Sequence, residues 1–287
     1  MDRIHWYPGH MKKTKELIQE NLKLVDVVLE LVDARIPMSS KNPDIDKMVA
    51  NKPRIIVLNK SDLANPEATS EWVEFFKKTG CVAVPVNALN GEGIEHLVLQ
   101  IKTLSKSKMD QLAQKGMRAR PIRVMIVGVP NVGKSSLINR LAQKKSAKIG
   151  NKPGITKSKQ WVRLKGNLEL LDMPGVLWPK FEDPEIGLKL AFTGCIKDEV
   201  LNLEELALAL LEYLTKKYAV NLMQRYQLDS MEEDSTQNLE KIARKRGCIF
   251  PGNKVDYERA AKLLFDEFRE GKIGKITLEI PEDFEKR

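Results

Sequence analysis

Residues 128–135 read Gly128-Val129-Pro130-Asn131-Val132-Gly133-Lys134-Ser135, the pattern G-x-x-x-x-G-K-[ST]. At average residue usage it arises by chance in roughly one chain in a hundred of this length, and its flanks strengthen it. Ile122–Val127 is a continuous apolar run of buried-strand type, and Ser136-Leu137-Ile138 opens a helical period. A strand, a glycine turn and a helix in that order form a phosphate cradle. The glycines let backbone N–H groups curl around phosphate oxygens, and the helix N-terminus adds partial positive charge. Lys134 would neutralise the β- and γ-phosphates, and Ser135 would ligate Mg²⁺. Such a loop demands a parallel sheet with helices on its faces.

The rest of the chain supplies that sheet. Val25–Val32, Ile55–Leu58, Val82–Val86 and Ile122–Val127 are apolar enough to be covered on both faces, and Gln160–Leu164 with Leu168–Leu171 suggest an edge hairpin. Helical periods fall at Met11–Leu22, Pro66–Thr79, Ile94–Leu112 and Lys134–Ala142. After Pro179 the texture becomes helical, at Leu203–Tyr218, Ser235–Arg246 and Tyr257–Glu270, with one β-rich run at Lys275–Ile280. The expected architecture is α/β: a mostly parallel six-stranded sheet in residues 1–180, followed by a small all-α domain in 181–287.

The base that accompanies the phosphates is readable from an N-K-x-D motif, whose carboxylate would accept from the guanine N1–H and 2-amino group. Two candidates exist: Asn59-Lys60-Ser61-Asp62 and Asn253-Lys254-Val255-Asp256. A base-reading loop leaves the carboxyl end of a sheet strand. Asn59 follows the strand pattern Arg54–Leu58, whereas Asn253 follows Pro251-Gly252, which argues against a strand. Asn253 reads as a helix start, with Asp256 in its first turn. A supporting loop should follow the next strand, and Val82–Val86 delivers Asn87-Ala88-Leu89 there. The earlier motif is therefore the base loop.

Asp172-Met173-Pro174-Gly175 ends the last sheet strand, thirty-eight residues after Lys134. There Asp172 would hold Mg²⁺ through a water, and the Gly175 amide would sense the γ-phosphate. Thr156 lies between the two and could close over the metal. The order along the chain is base loop, supporting loop, phosphate loop, threonine, aspartate: a circular permutation of the ordinary GTPase order. Val176 stands where many GTPases carry the glutamine that orients the attacking water, so unaided hydrolysis should be slow.

These motifs, with Trp6-Tyr7-Pro8-Gly9-His10-Met11 and Asp33-Ala34-Arg35-Ile36-Pro37, resemble the ribosome biogenesis GTPase A family of circularly permuted bacterial GTPases over nearly the whole chain. The resemblance implies a fold of permuted P-loop GTPase domain plus helical tail. It implies binding of GTP and GDP, through Asn59, Lys60, Ser61, Asp62, Asn87, Ala88, Leu89, Asn131, Val132, Gly133, Lys134, Ser135, Ser136, Thr156 and Gly175. It further implies Mg²⁺ at Ser135, Thr156 and Asp172, and K⁺ near Asn131. His10 stands among the family's candidate catalytic residues. A neutral imidazole there could orient the water that Val176 cannot. The implied role is late maturation of the large (50S) ribosomal subunit, with hydrolysis stimulated by that particle.

Charge agrees with a polyanionic partner such as rRNA. The chain is net +9 over 287 residues; the part through Lys180 is net +14 and the remainder net −5. Residues 102–165 hold seventeen Lys or Arg and a single acid, Asp110. In the acidic tail, contact with RNA would be local, through Lys241, Arg244, Lys245 and Arg246. Cys81, Cys195 and Cys248 are far apart, which fits a reducing cytoplasm and no disulfide partner. No apolar run approaches the roughly 18 residues of a membrane span, and charges break any leader-like core in the first twenty residues.

Overall fold

The computed structural model describes residues 10–49, 52–142, 160–164, 166–172, 183–196, 198 and 202–285. Six strands form one sheet: β1 (Val27–Asp33), β2 (Arg54–Asn59), β3 (Val82–Val86), β4 (Ile122–Gly128), β5 (Gln160–Leu164) and β6 (Leu168–Asp172). Their order is β3-β2-β1-β4-β6-β5, parallel throughout except for the antiparallel β5–β6 pair. The expected six strands are all present, within two residues at each end. β1 is buried at every position, as a central strand covered on both faces must be.

The chain adds β2 and β3 on one side of β1, then crosses to place β4 on the other. The β1–β4 boundary is thus the topological switch point, where an open α/β sheet binds ligands beyond its carboxyl ends. Register aligns those ends: Asp33 lies opposite Asn59, Asn59 opposite Val86, and Leu31 opposite Gly128.

Helices α1 (His10–Leu22) and α2 (Pro43–Val49) cover one face of the sheet, closing a core of Ile18, Leu22, Val25, Val28, Ile45, Val49, Met125, Val127 and Leu171. Helix α3 (Pro66–Lys78) buries Trp72 and Phe76 against Val32, Ile56 and Leu58 on a second core. Its start is set locally: Asn65 caps the Ala68 N–H, and Pro66 occupies the first turn, where its missing N–H costs nothing. Helix α4 runs from Ile94 to Gln114, and α5 from Lys134 to Leu141.

The chain divides into two compact units, one of which holds Asp183–Leu278 and the other the sheet. In the helical unit, α6 (Pro184–Phe192), α7 (Leu203–Tyr226), α8 (Ser235–Arg246) and α9 (Tyr257–Arg269) enclose Phe192, Leu210, Leu214, Ile242, Leu264 and Phe265. Arg269 donates to the Phe192 and Ala191 carbonyls at the end of α6 and pairs with Asp198, both nitrogens at 2.7 Å. Among the described residues, no helix is long and apolar enough to cross a membrane.

Three details differ from the sequence expectation. Helix α7 continues past Tyr218, which is non-helical (φ −135°); the period breaks there, but the helix resumes. The Tyr218 hydroxyl takes both backbone groups of Thr277, accepting its N–H at 3.1 Å and donating to its carbonyl at 2.8 Å. Residues 275–280, expected as a strand, are thereby held singly and form none. Finally, Ile249–Phe250 (β7) and Lys254–Val255 (β8) do pair, as a two-residue hairpin turning through Pro251-Gly252-Asn253. Asn253 is a turn residue at φ 60°, and the helix start lies at Asp256, which caps the Arg259 N–H at the head of α9.

The end of the chain is also distributed differently from a single cut after residue 180. From Glu279 onward, residues group with the sheet unit, where α10 (Glu282–Glu285) brings Phe284 onto Trp72 with ring centroids 5.7 Å apart.

Candidate nucleotide site

Strand β4 ends at Gly128, where a side chain would run into the Leu31 carbonyl at 2.5 Å; only glycine lets the loop leave so close to β1. The loop then passes through Asn131 at φ 57° and Gly133 at φ 101° into α5. Leu137, Ile138 and Leu141 bury one side of that helix, which fixes its N-terminus above the loop. The Lys134 ammonium donates to the carbonyls of Val129 at 2.7 Å and Gly128 at 3.1 Å. It lies across the mouth of the cradle, where phosphate oxygens could replace those carbonyls as acceptors. Ser135 follows in the first turn, and Ser136 is half-buried behind it.

The loop expected to read the base leaves β2 at Asn59, a buried residue whose carboxamide is a bracket between two other loops. Its Nδ2 donates to the Val132 carbonyl at 2.8 Å, and its Oδ1 accepts the Ala88 N–H at 3.2 Å. Phosphate loop, base loop and supporting loop, 73 and 29 residues apart in sequence, thus meet on one side chain. Ser61 N–H donates to Val86 O at 3.3 Å. Asp62 sits half-buried beyond it, with its carboxylate able to accept paired N–H donors.

The supporting loop is shaped by Asn87, whose Oδ1 accepts the N–H groups of Leu89 at 2.9 Å and Asn90 at 3.2 Å in an Asx turn. Leu89 is 74% exposed at the tip. Arg140, from the far end of α5, donates to the Ala88 carbonyl at 3.2 Å. Arg140 had no sequence signal, being one more cation in a basic stretch.

Lys60, at φ 59°, sends its ammonium to Asp33 Oδ2 at 2.9 Å. Asp33 is fully buried at the end of β1 and also takes Arg35 Nε at 2.9 Å and a second guanidinium nitrogen at 2.8 Å. Burial alone would raise this carboxyl, but the Arg35 and Lys60 charges overcome it and hold the pKa well below the usual carboxylate range. These two cations thus favour the anionic form of Asp33. The sequence flagged Asp33 and Arg35 as part of a motif without giving them a task.

Asp172 closes β6 opposite Ile126 of the phosphate-loop strand, so both strands end at the same edge. His10 opens α1; its side chain, like Thr156, Gly175 and Val176 as a whole, lies outside the described residues.

Comparison with known proteins agrees with this arrangement. The family described as 50S ribosome-binding GTPase matches residues 123–247. That span starts within the phosphate-loop strand and leaves out β1, β2 and β3 with Asn59–Asp62. Ribosome biogenesis GTPase A of Bacillus cereus is 48% identical, covering 98% of this chain and 95% of its own. The Thermotoga maritima protein of the same name is 36% identical over 98% and 95%. A crystal structure of GNP-bound YlqF from T. maritima aligns with a TM-score of 0.70 at 31% identity, covering 94% of this chain and 99% of that one; its GDP-bound counterpart gives 0.69. The permuted site and these full-length relatives place the chain in one family: it is a GTP-hydrolysing enzyme of the ribosome biogenesis GTPase A family.

Proposed function

We propose that this GTPase acts in the cytoplasm as a late assembly factor of the large ribosomal subunit, docking on rRNA and hydrolysing GTP when the particle stimulates it. The observation that carries the nucleotide half is the Asn59 bracket, which joins base, supporting and phosphate loops into one site despite their permuted order. In this reading Asp62 recognises guanine, with Asn59, Lys60 and Ser61 holding its loop and Asn87, Ala88 and Leu89 closing over the base. The Asn131–Ser136 segment holds the phosphates, and the Gly175 amide senses the γ-phosphate.

Ser135, Thr156 and Asp172 offer two hydroxyls and a carboxylate, the hard oxygen donors that suit Mg²⁺. Ser135 in the first turn of α5 and Asp172 at the end of the adjoining strand are placed at one edge of the sheet, which fits that set. When bound, Mg²⁺ neutralises charge on the β- and γ-phosphate oxygens. K⁺ beside Asn131 would add charge at the same phosphates. His10 orients the attacking water in place of the residue at Val176.

The RNA half rests on charge. Lys102, Lys106, Lys115 and Arg118 are exposed on α4 and just beyond it, within the basic stretch that also carries the phosphate loop. Sedimentation with mature and immature large subunits, in GDP and in a non-hydrolysable GTP analogue, tests the proposal. Binding should favour the immature particle and the GTP-like state and weaken steeply with salt through counterion release. Exchanging Lys144, Lys145 and Lys148 for glutamine should flatten that slope. Equal, salt-independent binding to both particles would overturn it, as would hydrolysis that the particle leaves unchanged.

A further inference from the structure

The carboxylate of Glu279 is completely buried, 240 residues away in sequence from the groups that hold it. Its two oxygens accept the Met38 N–H at 2.9 Å and the Ser39 N–H at 3.1 and 3.2 Å, and the Ser39 hydroxyl also bonds to it. Its own carbonyl accepts Trp72 Nε1 at 3.0 Å, and Phe284, five residues later, packs on the same ring. A carboxylate is retained at such depth only where donors converge on it. This is a built clamp.

What it clamps is the turn that leads out of β1. Within that turn, Ser40 N–H donates to Ile36 O at 2.9 Å; the Ser40 hydroxyl donates to the same carbonyl at 2.7 Å and accepts the Asp33 N–H at 2.9 Å. Asp33 in turn holds the Lys60 ammonium, and the next residue, Ala34, donates its N–H to the Asn59 carbonyl at 2.8 Å. The steps from Glu279 to Asn59 and Lys60 are hydrogen bonds among buried or half-buried groups, joined by the Ser39–Ser40 and Asp33–Ala34 peptide links. The chain enters this clamp directly from Leu278, the last residue of the helical unit.

We propose that Glu279 is a positioning residue for the guanine-reading loop, fixing Asn59 and Lys60 through the Asp33–Ser40 turn and so setting how long guanine nucleotide stays bound. The proposal rests on the reading of Asn59–Asp62 as the base loop.

Dissociation of a fluorescent GDP derivative from the full-length protein, followed by stopped flow, tests it. Glu279→Ala should speed release about three- to tenfold, and Glu279→Gln, which keeps an accepting oxygen, should fall between it and the parent. Single-turnover hydrolysis of bound GTP should be unchanged, since Lys134 and Ser135 are untouched. In a Lys60→Met background, Glu279→Ala should add less than twofold; multiplicative effects would overturn the proposal. Trp72→Phe removes the bond to the Glu279 carbonyl and part of the ring that Phe284 packs on, but leaves the Glu279 carboxylate and its donors in place. Faster GDP release from Trp72→Phe, matching that of Glu279→Ala at equal loss of Tm, would mean general loosening and would also overturn it. Asp62→Asn separates the two readings. If that variant keeps its guanine preference, the base-loop reading falls and the clamp with it. If it turns to xanthine while Glu279→Ala releases GDP at the parent rate, the clamp alone falls.

Discussion

A side chain on Gly133 would collide with Asn59 Nδ2, the nitrogen that donates to the Val132 carbonyl. Gly133 thus serves two neighbours at once: it turns the phosphate loop at φ 101°, and it leaves room for the bracket from the base loop. Gly133→Ala should lower GDP affinity at least about tenfold, since it adds backbone strain to the collision. Asn59→Ala should cost about ten- to thirtyfold through two lost hydrogen bonds. With Asn59→Ala already in place, Gly133→Ala should cost less than it does alone. Titration calorimetry of the two single variants and the double variant checks this; simple additivity would disconnect the pair.

Asp62 and Asp256 end rival motifs, and their surroundings predict opposite outcomes. Asp62→Asn should weaken GTP and favour xanthosine triphosphate, whose C2 carbonyl accepts where guanine donates. Asp256 caps α9, and asparagine caps about as well as aspartate, so Asp256→Asn should change neither nucleotide choice nor stability. Asp256→Ala should cost about 1 kcal/mol of stability and still leave nucleotide choice alone. Competition binding with guanine and xanthine nucleotides, together with thermal melts, distinguishes these outcomes.

His10→Ala should keep GTP binding and particle binding while losing roughly a hundredfold of the stimulated hydrolysis, the usual scale for one general acid–base or water-orienting group. Single-turnover rates with saturating large subunits measure it. An unchanged rate would leave His10 as the first residue of α1 and nothing more.

Glu30 gives the fold a pH dependence. It is buried in the middle of β1, and burial pushes its carboxyl up to about 7, although Arg54 donates to it at 3.0 Å. Arg54 shares its charge with Asp46, and Glu30 Oε1 has no hydrogen-bond partner among the described residues, so the pairing does not cancel the burial. A carboxyl raised in the folded state binds its proton more tightly there than in the unfolded chain. Stability from this group is therefore full below about pH 4.5 and declines as pH rises to about 7, by roughly 3 kcal/mol. Glu30→Gln should stabilise the protein by about 1–3 kcal/mol at pH 8, with the gain fading toward pH 4.5. Denaturant melts of both proteins across that range report it.

The sheet was legible because each strand carries its own signal, an apolar run ending in a turn. The same logic separated Asn59, after a strand, from Asn253. Strands β7 and β8 carried none: two exposed residues each have no period, and the Pro251-Gly252 pair that argued against a strand is the turn that joins them. The run at 275–280 has strand letters, yet Tyr218 takes the Thr277 backbone groups that a neighbouring strand would need. Helices α2 and α6, of seven and nine residues, are too short for a period to declare itself. Within the site, the phosphate loop was legible from local spacing, as was the position of Asn59 at the end of a strand. The tasks of Asp33, Arg140 and Glu279 were not, because each depends on partners from distant parts of the chain that no local pattern names.

Strand order also differs from the order of synthesis. β1, β2 and β3 are adjacent in space and leave the ribosome first, so that half of the sheet can take shape while β4 is still unmade. The phosphate half arrives later and must dock along the open side of β1, where Leu31 meets Gly128. A nascent chain of this GTPase therefore carries the loop we propose as reader of the base before it has anything to hold the phosphates, and on that reading its ability to take up nucleotide begins with the pairing of β4 to β1.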